Sequence, residues 1–427
     1  MGLLAKSELR HNPVSVSIDF LEHLFVDSRA RNFRVRFWDG NYWGASSTSR
    51  FTLVLNHPGA LRAMFMSPSE LSIGEAYIYQ DFDVEGDLEA AFELSDYLLS
   101  QERGLAQRLH LGTLLGRLPV QSRPRLLPHL HGTAHSKRRD REAVTFHYDL
   151  PCELFATFLD RRMVYSCAYF HSQQDDLQTA QEQKLDYICR KLRLRPGDRL
   201  LDIGCGWGGL IIHAATHYGA ECLGITLSEP QADVARQRIR EAEISERCAV
   251  EVCDYRDLRP QRQFDKMASV GMFEHVGEAR LPDYFQRAWQ LLLPGGVFLN
   301  HGIARSAMYR AAKPSFTDIY VFPDGELVPI NTTLRIAEDA GFEVRDLESL
   351  REHYVLTLHH WLKRLEENWQ AARQVVNETT FRIWKLYIAG SAHWFRTAKL
   401  NLYQALLCKP DHGASGLPLT RADWYQN

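Results

Sequence analysis

The sequence predicts an α/β chain: a doubly wound, Rossmann-like domain with a helical C-terminal insertion, preceded by a small α+β domain. Three observations carry that reading. Strands and helices alternate from Thr145 onward, the apolar run Leu200–Ile203 enters a glycine-rich turn, and residues 1–102 instead carry short, amphipathic elements.

The N-terminal module comes first. Phe33, Val35 and Phe37 alternate with Arg34 and Arg36, the period of a half-buried strand, and Asp39-Gly40 then supplies a hairpin turn. Phe51-Thr52-Leu53-Val54-Leu55 is a second strand by its apolar and β-branched content. Pro58 opens a helix, and Asp87 caps another that runs through Ala90, Ala91, Leu94 and Leu98. This module holds no catalytic constellation.

Residues 103–141 change character. Arg103, Arg108, Arg117, Arg123, Arg125, Lys137, Arg138, Arg139 and Arg141 stand against a single acid, Asp140, and Pro119, Pro124 and Pro128 break the segment up. The stretch reads as a basic linker with two uses open: a solvated connection, or a surface that attracts anionic lipid headgroups.

Residues 142–427 read as one α/β domain. A helix is expected over 181–192, a first strand over Arg199–Ile203, and a helix after the turn over Leu210–Tyr218. Further strands are expected over Glu221–Thr226, Ala249–Cys253, Phe264–Val270 and Val297–Asn300, giving an open, mostly parallel sheet. The helical insertion is expected from about Leu356 to Leu407. There Trp361, Leu365 and Trp369, and then Trp384, Tyr387, Ser391 and Trp394, recur at helical spacing, as a core or a substrate wall would require.

Gly204, Gly206 and Gly209 have the spacing of a nucleotide-binding turn, in which backbone amides approach the ligand closely. Alone, that spacing serves NAD, FAD or S-adenosylmethionine (SAM). Asp202 selects among them, because its carboxylate repels a pyrophosphate but suits a ligand bearing a sulfonium and an ammonium group. The end of the second strand lacks the ribose-binding acid of a dinucleotide fold. Thr226 and Gln231, or Glu229, remain for the polar work, and Ser228 is equally a helix cap or a ligand contact. Asp254, Tyr255 and Arg256 follow the third strand, where an adenine edge and ring would lie. SAM is the expected cofactor.

Composition narrows the class. The net charge of −3 gives no argument for a nucleic-acid partner, and no apolar run approaches a membrane span. Eight scattered cysteines without a Cys-x-x-Cys pair fit reduced thiols better than disulfides or a zinc site, so no metal is expected. No secretory signal is read at the start, and Lys6 stands where a myristoylation signal wants Ser or Thr. The expectation is a cytoplasmic protein whose membrane contact is peripheral.

Four more segments specify the reading: His147-Tyr148-Asp149-Leu150, Tyr165-Ser166-Cys167-Ala168-Tyr169-Phe170, Gly271-Met272-Phe273-Glu274-His275-Val276-Gly277 and His301-Gly302-Ile303. With the glycine turn, in this order and spacing, they resemble the cyclopropane fatty acid synthase family from about Thr145 to Leu407. Residues 1–102 are similar to the extra domain of its phospholipid-acting bacterial members, which implies a lipid-binding or dimerisation module and a homodimer. The resemblance implies SAM-dependent methylene transfer to the double bond of unsaturated acyl chains in membrane phospholipids, with a bicarbonate ion in the site, at the inner face of the membrane. It implies that Cys167, Glu274, His301, Ile303 and Tyr354 surround bicarbonate, and that Tyr165, Ser166, Gly204, Gly206, Thr226, Gln231 and Tyr255 lie against SAM.

The chemistry asks for such a set. Methylating an alkene leaves a carbocation, and ring closure then needs a positioned base for one proton of the new methyl group. Glu274 would accept a hydrogen bond from bicarbonate, His301 and Tyr354 would donate, and Tyr169, Phe170, Phe273 and the Trp-rich helices would offer aromatic faces to the cation. Two departures stand out. Ser391 occupies the place where the family usually has a cysteine, and Pro151-Cys152 follows the His147 motif where it more often has Gly-Asn or Ser-Asn. The competing readings are a fatty-acyl C-methyltransferase giving methyl- or methylene-branched chains, a small-molecule N-methyltransferase, and a SAM- or lipid-binding protein without catalysis.

Overall fold

The computed structural model describes residues 12–25, 32–44, 49–121, 131–148, 150–309 and 313–425. The Met1–Lys6 start, Arg123, Pro124, Arg125, Pro128 and Asp149 lie outside the described residues. The chain divides into two compact units. The first collects residues 1–127, 312–320 and 377–393; the second holds 128–311, 321–376 and 394–427.

The first unit is built on a four-stranded sheet of order β2-β1-β3-β4. β1 (Phe33–Arg36) alternates buried and half-buried residues as its sequence requires, and pairs antiparallel with β2 (Tyr42–Gly44) and parallel with β3 (Phe51–Leu55). Asp39 closes the hairpin by accepting from Asn41 N at 3.0 Å, with Gly40 at φ +87°. β3 pairs antiparallel with β4 (Phe82–Gly86), and the helix after Pro58 is Ala60–Phe65. Asp87 caps Leu88–Ser100, its Oδ1 accepting from Ala90 N at 3.0 Å.

The second unit carries a seven-stranded sheet of order β10-β11-β9-β8-β5-β6-β7. β5 (Arg199–Ile203), β6 (Glu221–Thr226), β7 (Cys248–Val252), β8 (Phe264–Val270) and β9 (Leu292–Arg305) are mutually parallel. β11 (Leu400–Cys408) runs antiparallel to β9 and to β10 (Glu343–Ser349). Strand order reverses at β5, which has β6 on one side and β8 on the other, so a crevice opens at its carboxyl end. Two apolar clusters pack the unit, one including Leu185, Ile188 and Ile211, the other Leu201, Tyr284 and Phe285. Fully burying such a side chain contributes about 1.5–3 kcal/mol.

Two expectations are corrected. The helical insertion ends early: helices span Arg351–Glu367, Trp369–Val375 and Glu378–Arg396, and Leu400–Cys408 is a strand inside the sheet. Its last five residues are all buried, so the two-residue alternation that marks a strand is erased there. The basic stretch 103–141 is not a plain linker either, since it contains the helix Leu105–Gly116 and the start of Lys137–Tyr148.

Candidate active site

One cavity of the second unit lies at the carboxyl end of β5. Tyr165, Ser166, Asp202, Gly204, Gly206, Thr226, Gln231, Asp254 and Tyr255, all singled out from the sequence as cofactor residues, line it together. The glycine turn shapes its floor. Gly204 sits at φ +86°, and a Cβ there would meet Met272 Cβ at 2.8 Å; Gly206, at φ +52°, would meet nothing within 4 Å and so faces open space. The helix Gly209–Tyr218 starts from Gly208 without a side-chain cap, leaving its first N–H groups available to a ligand.

The polar groups divide the work. Asp202 is buried with Oδ1 unpartnered, and burial pushes its carboxyl up to about 7 against the opposing charge of Lys184. A cationic ligand would reverse that shift. Thr226 donates to Gln231 Oε1 at 2.9 Å, which leaves the Gln231 amide nitrogen as a donor. Ser228 is settled as the cap of Glu229–Glu241, accepting from Gln231 N, and Glu229 turns to Arg236 at 3.2 Å instead of lining the cavity. Asp254 is held on both oxygens by Arg256, at 2.8 and 2.6 Å, and Arg256 reaches on to Asp140 at 2.9 Å.

Sequence reasoning missed two groups here. Asp140, counted within the linker, lines the cavity and is tied to Arg256. Lys184, also in the lining, donates to Ser166 Oγ at 2.8 Å, and burial lowers it to about 8. A signal existed, because Lys184 and Lys191 lie seven residues apart on the buried face of Leu177–Leu192, beside Ala180, Gln181 and Ile188.

Glu274, His301, Ile303, Cys167 and Tyr354 lie outside that lining, yet the backbone sets them next to it. Met272 and His275, which line the cavity, flank Glu274 in sequence. His301 is paired in register with Val270, another lining residue, and accepts from Gly271 N at 2.9 Å through its carbonyl. Ile303 N donates to Glu274 Oε1 at 2.7 Å, which pins the carboxylate over β9 two residues beyond His301. Glu274 Oε2 and His301 Nε2 are both buried and without a partner. Burial pushes Glu274 up to about 7, partly offset by the Ile303 bond, and burial with the nearby charges of Lys184 and Lys191 drives His301 well below its ordinary range. That environment favours the neutral imidazole of His301.

Cys167 follows the lining residue Ser166; its thiol donates to Ala168 O at 3.2 Å, and burial pushes it upward, so it offers no thiolate. Tyr354 is buried 6.0 Å from the Trp361 ring, which lies 5.2 Å from that of Tyr165. Around Tyr165 stand His147, Tyr148, Phe155 and Phe158, within 6.2 Å between centroids. Tyr169, Phe170 and Phe273 are not among the cavity's lining. Tyr169 stacks on His353 and Phe170 on His360, while Phe273 packs where a Gly302 Cβ would stand 2.8 Å from it. Trp361 and Leu365 are fully buried, whereas Trp369 is exposed. Ser391 is buried on Glu378–Arg396, in the part grouped with the first unit.

A parallel-rich sheet with an acid and an uncapped glycine turn at its switch point fits the class of SAM-dependent methyltransferases. The chain belongs to the mycolic acid cyclopropane synthetase family, whose model matches residues 135–405. A domain of unknown function matches residues 20–100. A "probable fatty acid methyltransferase" of Pseudomonas putida is 39% identical over 404 residues, covering 92% of this chain and 96% of its own. The cyclopropane-fatty-acyl-phospholipid synthase of Escherichia coli K12 is 36% identical over 274 residues, covering 64% and 69%. Among solved structures, mycolic acid cyclopropane synthase CmaA1 complexed with SAH and CTAB aligns with a TM-score of 0.59 at 33% identity, covering 62% of this chain and 97% of that one. The chain is thus a SAM-dependent methyltransferase of a family that acts on lipid acyl chains.

Proposed function

We propose that this enzyme transfers a methylene unit from SAM to the cis double bond of an unsaturated acyl chain in a membrane phospholipid, closing a cyclopropane ring. The observation that carries the reading is the pair of buried, unpartnered atoms Glu274 Oε2 and His301 Nε2 beside the cofactor cavity. Buried polar atoms are rarely left unsatisfied, and this pair offers an acceptor and a ring nitrogen to one small ligand. The donor set fits bicarbonate: His301 would donate to it, Glu274 would take its hydrogen bond, and Cys167, Ile303 and Tyr354 would complete its surroundings.

When bound, SAM supplies an electrophilic methyl group on a sulfonium, and bicarbonate supplies a base. An alkene is a weak nucleophile, so the protein's part is to hold it dry and aligned. Tyr165, Ser166, Asp202, Gly204, Gly206, Thr226, Gln231, Asp254 and Tyr255 hold the cofactor in this reading. Tyr148 and Tyr165, the aromatic rings of this cluster that line the cavity, would offer their faces to the cation that forms on the acyl chain, and removal of a proton from the added methyl group would close the ring. Glu274, its carboxyl pushed up to about 7 by burial, is suited to share a proton with the base.

Contact with the membrane falls to the first unit in this proposal. The helix Leu105–Gly116 buries Leu111, Leu114 and Leu115 but exposes Leu105 and Leu109 by 75% and 64%, and Val120 beyond it by 71%. No acid occurs between Arg103 and Arg139. A basic, partly apolar surface of this kind suits the anionic inner face of a membrane. The later cations contribute less, because Lys137 is spent on Asp257, Arg138 on Glu142 and Arg139 on Asp324. Among the described residues no helix is long and apolar enough to cross a membrane. Vesicle flotation should show binding to anionic bilayers that weakens with salt; absence from both anionic and neutral vesicles would remove this part of the proposal. A homodimer, also proposed, is checked by light scattering.

The test of the reaction is methyl-labelled SAM with vesicles of mono-unsaturated phospholipid, with and without bicarbonate, the acyl chains being analysed by mass spectrometry and NMR. A bicarbonate-stimulated cyclopropane is expected. The Pseudomonas putida relative's name favours a second reading, a methyl- or methylene-branched product. That product would keep the lipid substrate and overturn the ring.

A further inference from the structure

Behind His301 lies a buried chain of polar groups that no sequence motif announces. Lys191, on Leu177–Leu192, is buried and donates from Nζ to Gln404 Oε1 at 2.8 Å. Gln404, on β11, is 99% buried and stands directly opposite His301 in the β9–β11 register, its Nε2 lying 3.0 Å from His301 Nδ1. The direction of this chain is fixed by chemistry. An ammonium only donates, so the amide oxygen of Gln404 must face Lys191 and its NH₂ must face His301. His301 Nδ1 then accepts, and the ring proton of the neutral imidazole resides on Nε2, the atom left unpartnered.

We infer that Gln404, oriented by Lys191, is a positioning residue that locks His301 as an Nε2–H donor facing the acceptor side of the active site. The inference rests on the proposed role of His301 in holding a small oxyanion, but it concerns this chain's own protons. Lys191 is itself held at 2.5 Å by Glu348, and its charge lies 4.5 Å from the Tyr187 ring centroid. The ammonium is therefore compensated where it is buried, and Asp346 stands 3.9 Å away. Without this chain the imidazole would be free to take either tautomer, and the Nδ1–H form would present a lone pair, not a proton, to a bound oxyanion. The β9–β11 pairing thus does more than extend the sheet: it carries the residue that decides which nitrogen of His301 is protonated.

The experiment uses the full chain labelled with ¹⁵N-histidine, without lipid or added bicarbonate, and reads His301 by long-range proton–nitrogen correlation, assigned by its loss in His301→Gln. The expected pattern is a pyridine-type Nδ1 and a pyrrole-type Nε2, unchanged across neutral pH. In Gln404→Glu the added carboxylate oxygen asks for a proton from Nδ1, so the pattern should reverse or become that of an imidazolium. Turnover should fall about 10- to 100-fold with the SAM KM unchanged. Lys191→Met should mix the two tautomers, because the amide is then free to flip. A wild-type His301 carrying its proton on Nδ1 overturns the inference whether or not any variant folds, and so does a Gln404→Glu enzyme with wild-type spectrum and turnover. Because the spectrum is taken without substrate, a correct tautomer in an enzyme that proves indifferent to bicarbonate would sink the oxyanion reading and leave the positioning role standing.

Discussion

The two ends of the proposed active site are built on opposite principles. At the cofactor end most polar groups already have partners: Asp254 with Arg256, Thr226 with Gln231, Ser166 with Lys184. At the reacting end Glu274 Oε2 and His301 Nε2 are buried and unmatched. A site whose partners are internal holds its shape and waits for a ligand to slide in. A site with orphaned buried atoms is completed by its ligand, and its ionisation states depend on what arrives. Asp202, buried with Oδ1 unpartnered, sits at the cofactor end but behaves like the far end.

The largest expected effect comes from breaking the unmatched end. Glu274→Gln keeps the shape and an oxygen for Ile303 N but removes the carboxylate, so turnover should fall by about 10²–10⁴-fold, the range for loss of a positioned acid–base group. SAM affinity, measured by calorimetry, should hardly move. If turnover and SAM affinity fell in proportion, the two ends would not be separable and the contrast would collapse.

Next in size is Asp202→Asn, which should weaken SAM binding about 10- to 100-fold, the scale of a charge-assisted hydrogen bond lost from a buried site. The pH dependence carries a definite sign. With its carboxyl raised to about 7 by burial, Asp202 is increasingly protonated below that pH, and the protonated form has no charge to offer a sulfonium or ammonium group. Wild-type affinity for SAM should therefore rise as pH rises through about 7 and then level off. The asparagine variant should show no such step. Calorimetric titrations across that window decide it, and a flat wild-type profile would remove Asp202 from direct charge recognition.

The same contrast explains what the sequence discloses. The cofactor end is legible because its parts are local: a strand, its glycine turn and the helix behind it are contiguous, and the backbone geometry that the ligand needs is written in Gly204 and Gly206 themselves. The doubly wound sheet is legible for a related reason, since β5, β6 and β8 follow the apolar runs residue for residue. What is not legible depends on partners far apart in the chain. Gln404 meets His301 across 103 residues, and Lys191 meets Gln404 across 213. No local pattern predicts such a pairing, and β11 itself hides within an apolar run that reads as helix. The basic stretch fails differently: its composition is plain, but whether a cation is free or paired depends on Asp257 and Asp324, which lie in other segments.

The smallest effect is expected at Ser391, where the resemblance read from the sequence would place a cysteine. Ser391 is buried, so added volume there would have to be taken up by its neighbours. The comparison must stay with small residues. Ser391→Cys enlarges the side chain slightly and replaces a good hydrogen-bonding group with a weak one; Ser391→Ala removes that group and keeps the packing. If the reacting end draws its protons from Glu274 and His301 alone, turnover in both variants should stay within about threefold of wild type, a change under 1 kcal/mol. A large gain in the cysteine variant alone would mean that a thiol acts directly at this position. The unmatched end would then hold a third reactive group, one that the wild-type serine does not supply.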